Sequence, residues 1–413
     1  MTDAGEGGAL PAPPTRLTPD RHTEPETGGK PKMNGMTKLA TGASALAIGL
    51  MLAGTLSAQT LPLKPLPDDA DRYFWWYHQV QTDEVLSNMQ EIVGKPATAM
   101  ASPPTAPIKI AVIYPSQDVS DFWLRSYLSM EARLNEMGLP FEAVQYASNM
   151  GDFLLQSTYA EQAAREDFQY VIFGPSELQA QQDDIKHLMD AGKKVIVLNY
   201  DTPIQEWGDD QPMMYTTFSH LFGALNICNW VVENLGTEGT YAMIRGIVGG
   251  IDDQRSGGFR DCLAEKSNWK LAYEHYGEFQ REGGFNGAQL ITSAYPEVTL
   301  IHNANTAMAM GAISAVQAAG IGDKVGVTAW GGTGDEIDAL KNGELLATPM
   351  RMSDDVGVAM AEAIRADIEG RTADIPLVFL GRIDIVSGKS TPEDVEAKAN
   401  EAFRYTGRNT LER

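Results

Sequence analysis

From Ile108 onward, short apolar runs alternate with stretches whose apolar residues recur at helical spacing. Ile108-Lys-Ile-Ala-Val-Ile113 reads as a buried strand. It leads through Tyr114-Pro-Ser-Gln-Asp-Val-Ser-Asp-Phe-Trp123 into a helix near 121–137, with apolar positions at Leu124, Leu128, Ala132 and Met137. The pattern predicts further strands at Phe141–Gln145, Tyr170–Phe173 and Val195–Asn199, with helices near 153–165 and 176–191 between them. Val195-Ile-Val-Leu198 is apolar without a break, as a strand covered on both faces by helices should be. Residues Tyr200 to Tyr215 interrupt the rhythm with two prolines and many polar side chains. The alternation then resumes, with strands at Tyr241–Ile244, Leu271–Tyr276, Thr299–His302 and Val325–Trp330. Helices are expected near 219–235, 255–265, 285–295, 306–319 and 334–342. Asp354 to Glu369, Ala-rich and closed by Gly370, is the clearest helix in the chain; Pro376–Ile385 reads as a late strand and the tail from Thr391 as a helix. Two successive βαβ series predict an α/β fold of two lobes, each built on a parallel, doubly wound sheet.

The region before Ile108 is of another kind. Residues 1–35 are rich in Pro, Gly, Thr and charge and read as a disordered extension. Residues 36–58 read as a signal peptide: Met36-Thr-Lys38, an apolar Leu39–Leu56, and small residues at Ser57-Ala58. A membrane anchor is the rival, but no basic stop-transfer flank follows, so the mature chain is expected in the periplasm without inserting into a membrane. Residues 59–107 form an arm and linker. The aromatic stretch Asp68–Tyr77 is expected to pack onto the domain, Val85–Val93 to be helical, and Lys95–Pro107 to be a Pro/Ala/Ser linker.

Charge narrows the partners. A net charge of -23 supplies no basic patch for phosphates, which argues against nucleic acid. Cys228 and Cys262 admit two readings in an exported protein, a disulfide or two buried free thiols. Neither belongs to a C-x-x-C pair, and no P-loop, G-x-G-x-x-G, G-x-S-x-G or H-E-x-x-H motif occurs. No metal or cofactor is expected, and no nucleophile–base pair argues for an enzyme.

What remains is a set of polar and aromatic residues at predicted strand ends. Asp118, Ser120 and Trp123 lie in the first strand-to-helix loop, and Asn199 ends the fourth strand. Arg255 opens a helix in the second series, Asn305 and Thr306 start another, Trp330 ends a strand, and Arg351 follows Ala347-Thr-Pro-Met350, where the chain is expected to cross between lobes. Each has an ordinary structural role open to it: a helix cap, a core indole or a surface ion pair. Together they put amide, hydroxyl, indole and guanidinium groups at the carboxyl ends of both sheets, where ligands bind in open α/β folds. Two arginines converging there would require an anionic or acceptor-rich ligand.

Four long stretches carry a resemblance: Val112–Arg125, Asn199–Trp207, Trp330–Leu340 and Met350–Ile364, together with Phe403-Arg-Tyr405. Over roughly Ile108 to Gly407 the chain resembles the ribose-type periplasmic binding proteins, and within them the autoinducer-2-binding LuxP family. The resemblance implies two Rossmann-like lobes joined by three crossovers and closing on a small ligand. Lobe 1 is expected to comprise residues 108–202 plus 352–373, and lobe 2 residues 203–351 plus 374–413. By the same resemblance Ser120, Trp123, Asn199, Arg255, Thr306, Trp330 and Arg351 contact a furanosyl borate diester, and the partner is a membrane sensor kinase. A sugar-binding component serving an ABC permease is the alternative. Asp118 and Asn305 stand where the family usually has glutamine and serine; both are residues that sugar binders use to grip ring hydroxyls.

Overall fold

The computed structural model describes residues 80–116 and 119–408. The expected extension, the signal peptide, the Asp68–Tyr77 stretch and Asp118 lie outside them.

Alternation of apolar strands with amphipathic helices produces the first lobe in chain order. Its elements are α1 (Asp83–Val93), β1 (Ile108–Pro115), α2 (Phe122–Glu136), β2 (Phe141–Ser148), α3 (Phe153–Arg165), β3 (Tyr170–Phe173), α4 (Gln182–Asp190), β4 (Lys194–Leu198) and β5 (Met214–Phe218). The second series runs α5 (His220–Leu235), β6 (Thr240–Arg245), α6 (Gly258–Lys266), β7 (Lys270–Tyr276), α7 (Arg281–Ala294), β8 (Leu300–Asn303), α8 (Thr306–Ala318), β9 (Gly326–Thr328), α9 (Gly334–Lys341) and β10 (Ala347–Arg351). The chain then returns through α10 (Asp354–Ile368), β11 (Val378–Gly381), β12 (Ile383–Ser387) and α11 (Pro392–Ala402).

Two six-stranded sheets result, ordered β11-β5-β4-β3-β1-β2 and β12-β10-β9-β8-β6-β7. Pairing is parallel throughout, except that β12 runs antiparallel to β10. The apolar strands β3 and β4 are buried along almost their whole length, as their unbroken Val/Ile content requires. Each sheet reverses its strand order once, between β1 and β3 in the first and between β6 and β8 in the second. A crevice opens at such a switch point because the loops on either side of it leave in opposite directions.

Several sequence expectations are corrected. Met214–Phe218, read in part as the end of an irregular break and otherwise left unassigned, is the strand β5 and pairs with β4 and β11. Ala347–Arg351, read as a crossover, is the strand β10. Pro376–Ile385, read as one strand, divides into β11 and β12, which belong to different sheets. The expected lobe boundaries at 202 and 373 therefore cut into the first sheet, which holds both β5 and β11. The chain crosses between the two sheets at three places, Ser219, Met352-Ser353 and Arg382.

Packing explains two local features. Gly357 on α10 lies so close to α2 that a Cβ there would stand 2.0 Å from Ser129 Oγ. Any side chain would force these helices apart. The outer edge of β11 would expose unpaired amides, and α1 covers it. Gln81 exchanges two hydrogen bonds with the Val378 backbone, and Gln90 Nε2 donates to the Leu380 carbonyl, each at 2.7 Å. At the other end, the tail after α11 returns to lobe 1. Asp354 accepts the amides of Tyr405 and Thr406 and the Thr406 hydroxyl, while Arg125 donates to Thr406 Oγ1.

Cys228 on α5 and Cys262 on α6 form a disulfide, which settles the alternative left open by the sequence. Its 34-residue separation corresponds to about 3–4 kcal/mol of loop-closure stabilisation. Equilibrium unfolding of a Cys228→Ala, Cys262→Ala variant should show a loss of that order, and an unchanged midpoint would refute it. Burial pushes the Asp354 carboxyl up from 3.8 to about 6. The folded state then holds this proton more tightly than the unfolded chain. The contribution is complete below the ordinary carboxyl range and is lost as pH rises through about 6. The stability of the wild type relative to Asp354→Asn should accordingly fall between pH 4 and pH 7; a constant difference would contradict this assignment.

Candidate functional site

The two switch points face each other across a common cavity. From lobe 1 it is lined by the β1 loop (Ser120, Phe122, Trp123), the β3 loop (Pro175, Ser176) and Asn199 after β4. From lobe 2 come Ile251 and Arg255 after β6, Asn305 and Thr306 after β8, Trp330 after β9, and Arg351 at the end of β10. Of the nine residues singled out from sequence, eight line this cavity; the ninth, Asp118, lies outside the described residues.

Trp330 is the platform. It is completely buried, and both arginines approach its face, with Arg255 Cζ at 3.8 Å and Arg351 Cζ at 5.7 Å from the ring centroid. The far edge of the indole lies against Gly223 of α5, where a Cβ would fall 2.5 Å from Cζ2. Its Nε1 has no hydrogen-bond partner among the described residues. Trp123 is likewise buried, stacked at 8° on Tyr114 and seated against Gly174.

The arginines are held by neutral acceptors. Arg255 donates Nε–H to His220 Nδ1 (3.2 Å) and Nη1–H to the Ala304 carbonyl (3.0 Å). Arg351 donates Nε–H to the Gly331 carbonyl (3.0 Å) and, across the cleft, Nη2–H to Ser120 Oγ (3.4 Å); its guanidinium also lies over Phe122. Neither makes an ion pair with a described carboxylate. Burial, then the charge of Arg351, drives Arg255 well below its ordinary value, and burial brings Arg351 down to about 10. Each guanidinium keeps N–H donors that no described residue accepts. Glu336 is buried nearby, and burial raises its carboxyl. Its Oε2 is occupied by the Gly332 amide and Thr348 Oγ1, both at 2.6 Å. Thr306 Oγ1, Glu336 Oε1 and an Arg351 Nη all lie 2.9–3.2 Å from the point a Cβ on Gly331 would occupy, so a side chain there would press these groups outward.

Local backbone explains why these residues sit as they do. Asn199 adopts a left-handed φ of 76°, which asparagine tolerates, and its Oδ1 is buried without a partner. Arg255 stands in a π-turn at Asp253–Gly257, one residue too many for an α-helix, instead of at an ordinary helix start. Asn305 uses its amide on the scaffold: Oδ1 accepts the Met308 amide as the α8 cap, and Nδ2 donates to the Phe279 carbonyl. Phe279 itself lines the cavity at φ 60°, a strained setting for a bulky residue. Phe279, Ile251, Pro175, Ser176 and His220 are among the site residues that the sequence reading missed. Apolar lining residues leave no periodic signal distinct from core. His220 is a lone histidine whose role appears only when Asn199 and Arg255 meet it.

Besides Arg351–Ser120 and His220–Asn199, hydrogen bonds that join the lobes across the cleft include Asp121 Oδ2 accepting the Gly334 amide (3.3 Å), Gln280 Nε2 donating to the Met150 carbonyl (3.0 Å), and Gln254 Nε2 donating to Asp201 Oδ1 (3.0 Å). The lobes are therefore closed on each other.

Gly223→Ala should push the indole off its seat, destabilising the fold by about 1–3 kcal/mol as overpacking does and shifting tryptophan emission. Unchanged emission and stability would show that the seat is not tight.

Comparison with known proteins places this geometry. The ribose import binding protein of Salmonella typhimurium is 30% identical over 143 residues, which is 34% of this chain and 48% of that protein. The chain thus matches about half the length of that relative. The D-allose-binding periplasmic protein of Escherichia coli is 25% identical over 264 residues, 62% of this chain and 83% of that protein. An ABC transporter periplasmic solute binding protein from Actinobacillus succinogenes, solved with bound D-allose, superposes with a TM-score of 0.62 at 21% identity, covering 70% of this chain and 99% of that one. Residues 110–372, more than half of the chain, match the model of the periplasmic binding protein domain, and to that family this chain belongs.

Proposed function

We propose that the chain is a periplasmic, non-enzymatic sugar receptor that closes its two lobes on a pentose- or hexose-sized polyol and presents it to an ABC permease. The observation that carries this reading is the cavity at both switch points, walled by indoles and supplied with guanidinium donors that make no direct ion pair with a described carboxylate. Aromatic faces suit the C–H faces of a sugar ring, and unspent N–H donors suit its oxygens. The relatives named for ribose and D-allose support the ligand class, and family membership supports both the compartment and the lack of chemistry. Closure would follow from contacts that ligand makes with both lobes at once. Oxidation of Cys228 and Cys262 fits an exported protein.

One specific observation favours a second reading. Two buried guanidinium groups that make no direct ion pair with a described carboxylate would also suit an anionic ring such as the borate diester of autoinducer-2. Signalling through a membrane sensor kinase would then replace transport.

Titration calorimetry with D-ribose, D-allose and autoinducer-2, the last with and without borate, separates these readings. A neutral sugar should bind, and Arg255→Ala and Arg351→Ala should each weaken it by about 2 kcal/mol or more, as truncating a buried charged contact does. Borate-dependent binding of autoinducer-2 alone would move the assignment to the second reading. Binding indifferent to both substitutions would remove the cavity as the site.

A further inference from the structure

His220 is the first residue of α5, directly after the crossover at Ser219, and is 1% exposed. Its two ring nitrogens face partners of opposite kind. Nε2 stands 2.9 Å from the Asn199 carbonyl, which can only accept; Nδ1 stands 3.2 Å from Arg255 Nε–H, which can only donate. The partners fix a single neutral tautomer, with the proton on Nε2. The ring also leans on Trp330, with centroids 5.4 Å apart. One imidazole thus touches lobe 1 at Asn199 and lobe 2 at Arg255 and Trp330, at the pivot between them.

From this we propose that His220 is the positioning residue of the cleft: it orients the Arg255 guanidinium towards the ligand and ties that orientation to the backbone of Asn199 in the opposite lobe. The proposal rests on Arg255 holding ligand, as read above. Arg255 has five N–H donors. With Nε–H spent on His220, one Nη1–H on Ala304 and its plane stacked on Trp330, the rest of the fork has a single direction in which to present. Without the acceptor at Nδ1, the guanidinium could turn about its last bonds and lose that direction. A protonated ring would set N–H against N–H. Burial, and next the charge of Arg255, hold His220 well below its ordinary value, so the acceptor persists through the neutral and mildly acid range. The charged and titratable groups that bear on the ring are Arg255 on the π-turn and Arg351 at the end of β10. The disulfide supports the same register. Cys228 lies eight residues after His220, and Cys262 seven after Arg255, so α5 and α6 are joined by the Nδ1 contact at one level and by the disulfide about two turns further on.

Two near-isosteric variants divide the role. Asparagine reproduces an acceptor near Nδ1, whereas glutamine reproduces the donor near Nε2. His220→Asn should keep ligand affinity within about threefold and His220→Gln should lose about tenfold or more, the loss expected for one hydrogen bond to a charged group. In an Arg255→Ala background the glutamine variant should cost less than about twofold, because a residue acting through another has nothing left to act on. The probe is whichever of D-ribose, D-allose or borate-loaded autoinducer-2 the wild type binds in calorimetry, with unfolding midpoints measured in parallel. Equal losses in the two variants, or an undiminished glutamine effect without Arg255, would overturn the proposal. A ligand-independent readout keeps the two claims apart. In 15N spectra the Arg255 Nε–H should be protected from solvent exchange in the wild type and in His220→Asn, and exposed in His220→Gln. Protection with no binding of any probe would sink the sugar-receptor reading and leave the positioning role standing. Exchange indifferent to His220 would sink the positioning role alone.

Discussion

Two guanidinium groups held over one indole, out of water and without a carboxylate to pair with, set the terms for the rest of the molecule. Removing an ion from water costs several kcal/mol even after relaxation, and a desolvated cation–π contact returns about 2. The difference must come from neutral acceptors. The carbonyls of Ala304 and Gly331, the Ser120 hydroxyl and the His220 ring supply them. Each of these lies at the carboxyl end of a strand or at the start of a helix, where unpaired backbone and cap groups are available. The arrangement remains short of acceptors, and that shortage gives the cavity its selectivity. A ligand rich in oxygen completes it, whereas an apolar one leaves buried donors unmet.

The same requirement explains the glycines around the cavity. Gly223 lets Trp330 sit flush against α5, and Gly331 lets Thr306, Glu336 and Arg351 converge. Gly174 does for Trp123 in lobe 1 what Gly223 does for Trp330 in lobe 2. The two indoles are thus seated by backbone, with no side chain intervening. Closure is supported from outside the cavity as well, since the hydrogen bonds Asp121–Gly334, Gln280–Met150 and Asp201–Gln254 span the lobes without occupying ligand space.

Much of this was legible in the sequence, and the exceptions have physical causes. Tyr170–Phe173 and the helix 153–165 coincide with β3 and α3, because an unbroken apolar run and a capped amphipathic helix are unambiguous signals. β5 was hidden because Met214-Tyr-Thr-Thr-Phe218 follows prolines and carries two threonines that read as surface although both are buried. β11 and β12 read as one strand because a one-residue crossover at Arg382 leaves no gap in the pattern; only tertiary pairing separates them. Eight of the residues named from sequence share one cavity because strand ends are predictable where strands are. Phe279 and Asn305 show the limit of that logic. A strained φ and a doubly engaged amide are properties of a packed turn, and composition carries no trace of either. The disulfide was undecidable for the same reason, since it depends on how α5 lies on α6.

The π-turn before α6 has a consequence for how this site tolerates changes in length. One surplus residue between Asp253 and Gly257 is absorbed by the wider π-turn, whose five residues cover nearly the rotation of one fewer in an α-helix, so the helical segments before and after it keep their phase. Deleting a single residue would restore regular hydrogen bonding and improve the helix locally. It would also take away the widened turn that sets Arg255 against His220 and Ala304. A repair of the helix would therefore be an injury to the cavity.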